Sequence, residues 1–239
     1  MSPQTRQSSS PQCEGCAMRD RTVFCDMSQH DLRAMSAVKV YRGYQRGEVI
    51  FSEGDQPAGI YCLFSGSVKI FKSGRDGREQ IIRLARPGDV FGYRALLSAQ
   101  RHDNCAAALD DVGVCYVPRT MFMTMAAENT DFSFKMLELL SGELRRAEEH
   151  VVEMVQKTLR ERLAETLLLC RERFGLERDG VTLGTRVTRG EIAEMVGAAT
   201  ESVIRQMMRF KDEGLIGLKG RRISILSPER LLDAANLEE

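Results

Sequence analysis

Residues 187–212 have the sequence VTRGEIAEMVGAATESVIRQMMRFKD, which predicts two short helices joined by a tight turn. Thr188 is a favourable N-cap, and Glu191 stands three residues later, where a capping box places its carboxylate. Gly197 can adopt the left-handed conformation that ends the first helix, and a second helix follows from about Thr200 to Asp212. Two helices joined by a short glycine-containing turn form a helix-turn-helix motif.

The residues after the second helix extend this motif. From Gly214 to Leu226 the sequence alternates as in a β-hairpin, which predicts the wing of a winged helix-turn-helix. Residues 186–222 contain eight basic and five acidic side chains, a net charge of +3, although the whole chain has no net charge. This local excess favours a nucleic-acid partner. Arg189 at a helix start and Lys219 and Arg221 in the wing are the residues expected to contact phosphates.

The second helix is the one expected to contact bases. In this motif it lies in the major groove with its first turns at the base edges, which here carry Thr200, Glu201, Ser202 and Arg205. A glutamate can accept a hydrogen bond from a cytosine amino group, and an arginine can bind guanine through two hydrogen bonds. The alternative is that Glu201 and Arg205, four residues apart, form only a surface ion pair. The face expected to pack in the core carries Val203, Met207 and Phe210.

Residues 130–159 are predicted to form one long helix. Apolar side chains recur there at alternating spacings of three and four with charged residues between them, which is the pattern of a coiled-coil seam. We expect this helix to pair with its copy in a homodimer; the alternative is an amphipathic helix packed on its own domain. The seam runs on to Thr158 and comprises Leu137, Leu140, Leu144, Ala147, Val151 and Met154.

Residues 38–117 show the pattern of an all-β domain. Short apolar runs such as Gly59–Phe64 and Val112–Val117 alternate with turn-forming pairs such as Pro87-Gly88, which indicates an antiparallel sandwich or barrel. The predicted fold class is therefore α+β. The predicted segments are a cysteine-containing N-terminal segment (1–30), a β domain (31–129), the long helix (130–159) and the helix-turn-helix domain (160–239).

Composition argues against a membrane protein and against an enzyme. Of 239 residues, 43% are hydrophobic and 28% charged, and no apolar run approaches the roughly 18 residues that a membrane span needs. Residues 1–12 lack the apolar core of a secretory signal, so we expect a cytoplasmic protein. The chain has three histidines with no pair at ligand spacing, and no nucleophile with a recognisable base, so we expect no enzymatic activity.

The order of β domain, long helix and winged helix-turn-helix resembles the CRP/FNR family of bacterial transcription regulators. The resemblance covers nearly the whole chain and is most specific in residues 187–197 and in Glu201-Ser-Val-Ile-Arg205. It implies a cupin-like jelly roll, or β-roll, that senses a signal, a homodimer, and a palindromic double-stranded DNA operator contacted by Glu201 and Arg205. RNA polymerase is the further partner implied. FNR has serine where this chain has Ile204, so the outer half-site preference stays open.

Three of the seven cysteines lie near the front of the chain, in Cys13-Glu-Gly-Cys16 and at Cys25. Two thiolates at this spacing can bind one metal centre from a single turn, and a third can close around it. A polar tail gives Cys13 and Cys16 no core to fill, which favours metal binding over packing. The resemblance to the FNR branch adds Cys115 as a fourth ligand and implies a [4Fe-4S] cluster that senses oxygen or nitric oxide; zinc is the alternative occupant. We interpret the remaining cysteines as packing residues: Cys62, Cys105 and Cys170.

Cyclic nucleotide binding is not expected. Family members that bind cyclic AMP use a glutamate after a glycine and an Arg-Ser pair, and the matching positions here hold Tyr93, Asp103 and Asn104. An aspartate in place of the arginine sets like charges together and opposes binding of an anionic phosphate. The alternative function is therefore a zinc- or thiol-stabilised regulator that responds to another ligand or is constitutively active.

Overall fold

A computed structural model describes residues 11–74, 76–185 and 187–236. Within them the chain divides into two compact units, one formed by residues up to Lys72 with Arg83–Arg145 and the other by Ser73–Ile82 with residues from Arg146 onward. Residues 1–10 of the predicted N-terminal segment and residues 237–239 of the predicted helix-turn-helix domain lie outside the described residues. Arg186, one of the eight basic residues counted above, also lies outside them. In the described ranges, the structure contains no helix with the length and apolar character needed to cross a membrane.

Two four-stranded sheets form a β-roll, most of which belongs to the first unit; their strand orders are β1-β8-β3-β6 and β2-β7-β4-β5. Neighbouring strands pair in the antiparallel sense, as in β1 with β8 and β4 with β7. This arrangement confirms the predicted β-roll of jelly-roll type. The strands are β1 (Val40–Tyr44), β2 (Val49–Phe51), β3 (Gly59–Ser65), β4 (Val68–Ser73), β5 (Glu79–Ala85), β6 (Val90–Phe91), β7 (Cys105–Ala108) and β8 (Val112–Pro118).

Glycines close several of the turns between strands. Gly66, between β3 and β4, has a φ of 81°, and a Cβ there would stand 2.5 Å from the carbonyl oxygen of Asp111. The next residue, Ser67, donates its backbone N–H to the Asp110 carboxylate at 2.7 Å. This turn therefore needs glycine both for its backbone conformation and for its close approach to the loop before β8.

The sequence pattern misses two strands and three helices of this unit. Strand β7 is Cys-Ala-Ala-Ala, and alanine has a low strand propensity, although all three alanines are buried. Strand β1 lies at a sheet edge and is mostly exposed, so it lacks a clear apolar alternation. The helices are α1 (Gln29–Val38), α2 (Tyr93–Leu97) and α3 (Arg119–Glu128).

The N-terminal segment packs into an apolar core. The ring of Phe24 is stacked on that of Phe132 with centroids 5.5 Å apart, and Phe122 meets Phe132 edge-on at 5.8 Å. Cys13 is only 8% exposed and belongs to the same core, as does Met27. The expectation that Cys13 has no core to fill is therefore wrong, because the aromatic and methionine side chains that follow it anchor the segment against the β-roll.

The predicted long helix forms as α4 (Thr130–Gln156) and ends before the expected boundary at residue 159. Thr158 is the N-cap of the next helix, α5 (Leu159–Phe174). Its backbone N–H donates to the Glu161 carboxylate at 2.6 Å, which completes a capping box that the sequence analysis missed. The prediction that Thr158 continues the apolar seam is therefore wrong.

The second unit contains the predicted winged helix-turn-helix. The predicted motif consists of two helices followed by an antiparallel hairpin. Buried side chains such as Leu163, Ile192 and Phe210 form the core of this unit. A last short helix begins at a proline, which is favourable in the first helical turn. The elements are α6 (Arg189–Val196), α7 (Thr200–Asp212), β9 (Ile216–Lys219), β10 (Arg222–Ile225) and α8 (Pro228–Ala234).

Candidate functional site

The turn between α6 and α7 has the geometry that the sequence predicts. Thr188 Oγ1 accepts the N–H of Glu191 at 3.1 Å, and the Glu191 carboxylate accepts the N–H of Thr188 at 2.6 Å. Gly197 ends α6 in the left-handed conformation, with φ 69° and ψ 47°. The Met154 side chain lies against Gly197, so a larger residue would be both strained and crowded there. These contacts fix where α7 begins.

Helix α7 has a buried face and an exposed face. Val203, Met207 and Phe210 are at most 1% exposed, as predicted for the core face. Glu201 and Arg205 are exposed, and within the described ranges no ion pair joins them. The alternative interpretation of a surface ion pair therefore has no support, and both side chains are available to a ligand. The other predicted base-contacting residues, Thr200 and Ser202, are half-exposed.

The predicted phosphate-contacting residues differ in their surroundings. Lys219 and Arg221 are exposed on the wing. Arg189 is half-buried and donates from its guanidinium to the carbonyl oxygen of Gly220 at 3.2 Å, so it braces the turn of the wing. Its second terminal nitrogen, Nη1, is buried without a hydrogen-bond partner. Arg222, the next residue of the wing, forms an ion pair with Glu177, in which Nη2 lies 2.6 Å from Oε2.

Helix α4 carries an exposed apolar face. Three of the predicted seam residues, Leu137, Leu144 and Val151, are 57–63% exposed. Two others have partners within their own unit: Leu140 packs partly on the core that holds Phe132, and Met154 lies against Gly197. Ala147 is exposed. The sequence analysis missed two further exposed residues at heptad spacing on this face: Phe134 at 61% and Val155 at 81%.

Four thiols line one small cavity of about 40 Å³ in the first unit, which we call the cysteine cavity. Three of the predicted ligands, Cys13, Cys16 and Cys115, are among them. The fourth is Cys62, which the sequence analysis interpreted as a packing residue; it stands directly opposite Cys115 in the pairing of β3 with β8. Cys25 is not among the lining residues. Only the strand register places Cys62 here, and register cannot be read from the spacing of cysteines.

Burial raises the pKa of two of the cavity thiols, those of Cys62 and Cys115. Burial raises the pKa of Cys115 to about 11; the neighbouring thiols of Cys13 and Cys16 also raise it, while Lys39 opposes this rise. Burial likewise raises the pKa of Cys62 well above its ordinary value. A metal bound here would therefore displace thiol protons.

The side chains that line the cavity are of the types that bind a metal or an iron–sulfur cluster, although the sulfur atoms are not close enough together to share one metal ion. Two cations, Lys39 and Arg19, line it beside the sulfur atoms and would offset the charge of thiolates. Among the described residues, no group of three His, Cys, Asp or Glu side chains is close enough to hold a metal ion as it stands. Metal binding therefore requires the N-terminal turn to close on the sheet.

Tyr93, Asp103 and Asn104 are the residues that the resemblance matches to nucleotide-binding positions, and the structure shows their surroundings. The Asp103 carboxylate lies 3.1 Å from Lys72 Nζ and 3.6 Å from a guanidinium nitrogen of Arg94. Tyr93 is 1% exposed, and its hydroxyl lies 3.5 Å from Arg83 Nη1. Asn104 is also buried. The cations near Asp103 are thus already paired with a carboxylate.

Comparison with known proteins gives matches along most of the chain. The family model of the cyclic nucleotide-binding domain matches residues 41–129, and that of the Crp-like helix-turn-helix domain matches residues 161–234. The chain is 30% identical to the CRP-like cAMP-activated global transcriptional regulator of Mycobacterium tuberculosis, over 79% of this chain and 84% of that protein. It is 26% identical to the fumarate and nitrate reduction regulatory protein of Escherichia coli, over 93% and 90% of the two chains.

A solved structure agrees with the same assignment. The structure of FixK2 from Bradyrhizobium japonicum is similar with a TM-score of 0.74 and 30% sequence identity, over 84% of this chain and 100% of that chain. The curated relatives are regulators of transcription and not enzymes. With the β-roll, long helix and winged helix-turn-helix all in place, the chain belongs to the CRP/FNR family of transcription regulators, which bind DNA through this helix-turn-helix.

Proposed function

We propose that this protein is a homodimeric regulator that binds a palindromic operator and responds to oxygen or nitric oxide through a [4Fe-4S] cluster. The proposed ligands are Cys13, Cys16, Cys25 and Cys115. The observation that carries the proposal is the cysteine cavity, which three of these four thiols line together with two cations. The Escherichia coli relative is named for fumarate and nitrate reduction, which supports a signal of this kind. RNA polymerase is the proposed partner at the promoter.

The N-terminal segment is built to hold a cluster-binding turn against the β-roll. When bound, the cluster supplies iron that oxygen or nitric oxide attacks. The segment itself is fixed by Arg19, whose guanidinium donates to the carbonyl oxygens of Cys25 at 3.3 Å and Met27 at 3.4 Å. Cys13 donates its backbone N–H to Ser36 of α1 at 2.8 Å. A change at the cysteines therefore acts on a segment that is already bonded at both ends.

The same segment contacts the start of helix α4. Phe24 is stacked on Phe132 of α4, and Asp26 lies 3.7 Å from Lys135 Nζ one turn further along. Movement of the segment on cluster loss would change these contacts and so shift the population of α4 conformations. This gives a direct route from the cysteines to the helix that we propose for dimerisation.

The exposed apolar face of α4 supports a homodimer, and one substitution tests it. In a Leu144→Glu variant we expect the dimer dissociation constant to rise at least about tenfold, because burial of a leucine side chain is worth about 1.5–3 kcal/mol. Leu144 is 62% exposed within the chain, so the fold itself should tolerate the change. Sedimentation at several concentrations measures the effect. Arg146→Glu, which places the same residue off this face, is the control; equal sedimentation of both variants would contradict the dimer face.

Anaerobic purification tests the cluster. We expect the wild-type protein to contain iron and acid-labile sulfide, and a Cys115→Ser variant to lose both and to bind operator DNA no better without air than with it. Cys105→Ser is the matched control, since Cys105 lies in β7 and is not among the residues lining the cavity. Colourless, iron-free wild-type protein that binds its operator tightly would reject the proposal.

A second candidate function is a zinc- or thiol-stabilised regulator that responds to another ligand or is constitutively active. The match to a cyclic nucleotide-binding domain and the cAMP-activated relative favour a ligand of that class. Against it, Asp103 occupies the matching phosphate position and is paired with Lys72 and Arg94. We therefore propose that cyclic nucleotides do not bind. Metal analysis separates the two candidates, because zinc without iron or sulfide favours the second.

A further inference from the structure

The cysteine cavity is lined by two pairs of thiols from two different elements. Cys13 and Cys16 belong to one turn, in which the N–H of Cys16 donates to the carbonyl oxygen of Cys13 at 3.3 Å. Cys62 and Cys115 are directly opposed residues of the antiparallel strands β3 and β8, and in such a pair the Cβ atoms lie about 4.5–5.5 Å apart. The turn and the cross-strand pair therefore each supply two sulfur atoms that can bind a metal.

We propose that Cys13, Cys16, Cys62 and Cys115 form a four-thiolate site for one divalent metal ion of the zinc class in the cluster-free protein. This set differs from the cluster ligands by one residue, with Cys62 in place of Cys25. The proposal shares the cavity of the proposed function but does not need a cluster to form. Tetrahedral coordination by four soft thiolates is the arrangement that zinc prefers in structural sites.

The cavity has room for a single ion. Its volume is about 40 Å³, and about 10–15 Å³ is enough to hold one water molecule. With metal–sulfur bonds of about 2.3 Å, tetrahedral sulfur atoms stand about 3.8 Å apart. The directly opposed side chains of Cys62 and Cys115 lie on the same face of the sheet, so their sulfur atoms can approach this separation by side-chain rotation.

The surroundings of Cys25 place it outside this site. The preceding residue, Phe24, lines the cavity and is held there by its stacking on Phe132. The carbonyl oxygen of Cys25 is bonded by Arg19, and its thiol is close enough to Asp26 and Lys135 for both to influence it. Bringing the Cys25 thiol into the cavity would require Phe24 to leave. Cys62 requires no such exchange, since it already lines the cavity.

The turn that carries Cys13 and Cys16 has open space at its centre, and cations lie beside the site. A Cβ added at Gly15, between the two cysteines, would meet no atom within 4 Å. Four thiolates around a divalent ion carry a net charge of −2. Lys39 and Arg19 line the cavity and offset this charge. Lys39 is itself positioned, because its ammonium donates to the carbonyl oxygen of Pro11.

Cobalt(II) is the probe for the test, because its absorption reports tetrahedral geometry and the number of bound thiolates. The full-length, reduced and cluster-free protein is titrated with Co²⁺ without air. We expect wild type, Cys25→Ser and Cys105→Ser to give the same four-sulfur spectrum with one ion per chain. In Cys62→Ser we expect a smaller sulfur-to-cobalt band and binding weaker by at least about tenfold, since loss of even an outer-sphere partner costs about 10–100-fold.

A second measurement needs no variant. Alkylation of the wild-type protein, mapped by mass spectrometry, should show that Co²⁺ protects Cys62 while Cys25 reacts equally with and without metal. Protection of Cys25, or a Cys62→Ser spectrum identical to that of wild type, would overturn the proposal. If the wild-type protein contains iron and sulfide but binds no Co²⁺ after the cluster has been removed, the four-thiolate site is rejected and the cluster proposal is kept. If the protein never acquires iron but binds Co²⁺ in a way that depends on Cys62, the cluster proposal is rejected and the four-thiolate site is supported.

Discussion

Replacing Phe132 with alanine is expected to lower the free energy of unfolding by about 3–5 kcal/mol, the usual cost of removing a buried phenylalanine. Phe132 is 2% exposed and packs between Phe24 and Phe122. Its loss leaves a cavity at the point where the N-terminal segment, the β-roll and α4 meet. Urea unfolding followed by circular dichroism measures the change.

The matched control for this prediction stands two residues away on the same helix. Phe134 is 61% exposed, so Phe134→Ala should change the stability of the monomer by no more than about 0.5 kcal/mol. Both substitutions are best compared in the Leu144→Glu background, because dimer formation would otherwise add a concentration-dependent term. Equal destabilisation by the two changes would contradict the packing described for Phe132.

The helix-turn-helix could be predicted residue by residue because its signals are local. Thr188 and Glu191 form their capping box within one turn of chain, and Gly197 is needed at the next bend for its backbone conformation. The apolar residues of α7 then follow the helical period. Nothing distant has to be known to place these elements, and their bounds in the structure agree with those predicted.

The cysteine cavity depends on distant contacts and could be predicted only in part. The spacing of Cys13 and Cys16 is a local signal for metal binding, and the family resemblance adds Cys115. The position of Cys62 follows from the register of β3 on β8, which a single sequence does not reveal. Burial of Cys13 follows from the packing of Phe24 and Met27 in the same core. The sequence therefore identified three of the four thiols that line the cavity.

The contacts that join the β-roll to α4 are distant in sequence and could not be predicted. Arg83 of β5 forms an ion pair with Glu143 of α4, and it also lies 3.7 Å from Asp89. These side chains are 17–23% exposed, so solvent screens them less than a surface pair. Together with Phe132, this ion pair holds the first part of α4, up to Glu143, on the β-roll. A signal at the cysteines then has a defined helix to act on.

Replacing Arg205 with alanine is expected to remove most of the discrimination at one base pair of each half-site. A guanidinium bound to guanine through two hydrogen bonds contributes about 1–3 kcal/mol, or about 5–150-fold in affinity, against the wrong base. Arg205 is exposed on α7, and its neighbours Val203 and Met207 fix the helix in the core. The operator is first selected from random DNA, and binding is then measured to duplexes that differ at single positions.

The contrast with the wing separates base contacts from phosphate contacts. Arg221→Ala should weaken binding to all these duplexes by a similar factor and reduce the slope of log affinity against log salt by about 1, because a phosphate contact carries no sequence information. Arg205→Ala should instead flatten the preference at its own base pair and leave binding to unrelated DNA nearly unchanged. If Arg205→Ala kept the wild-type preference at every position, Arg205 would contact the backbone, and base contacts would have to come from Glu201 or Ser202.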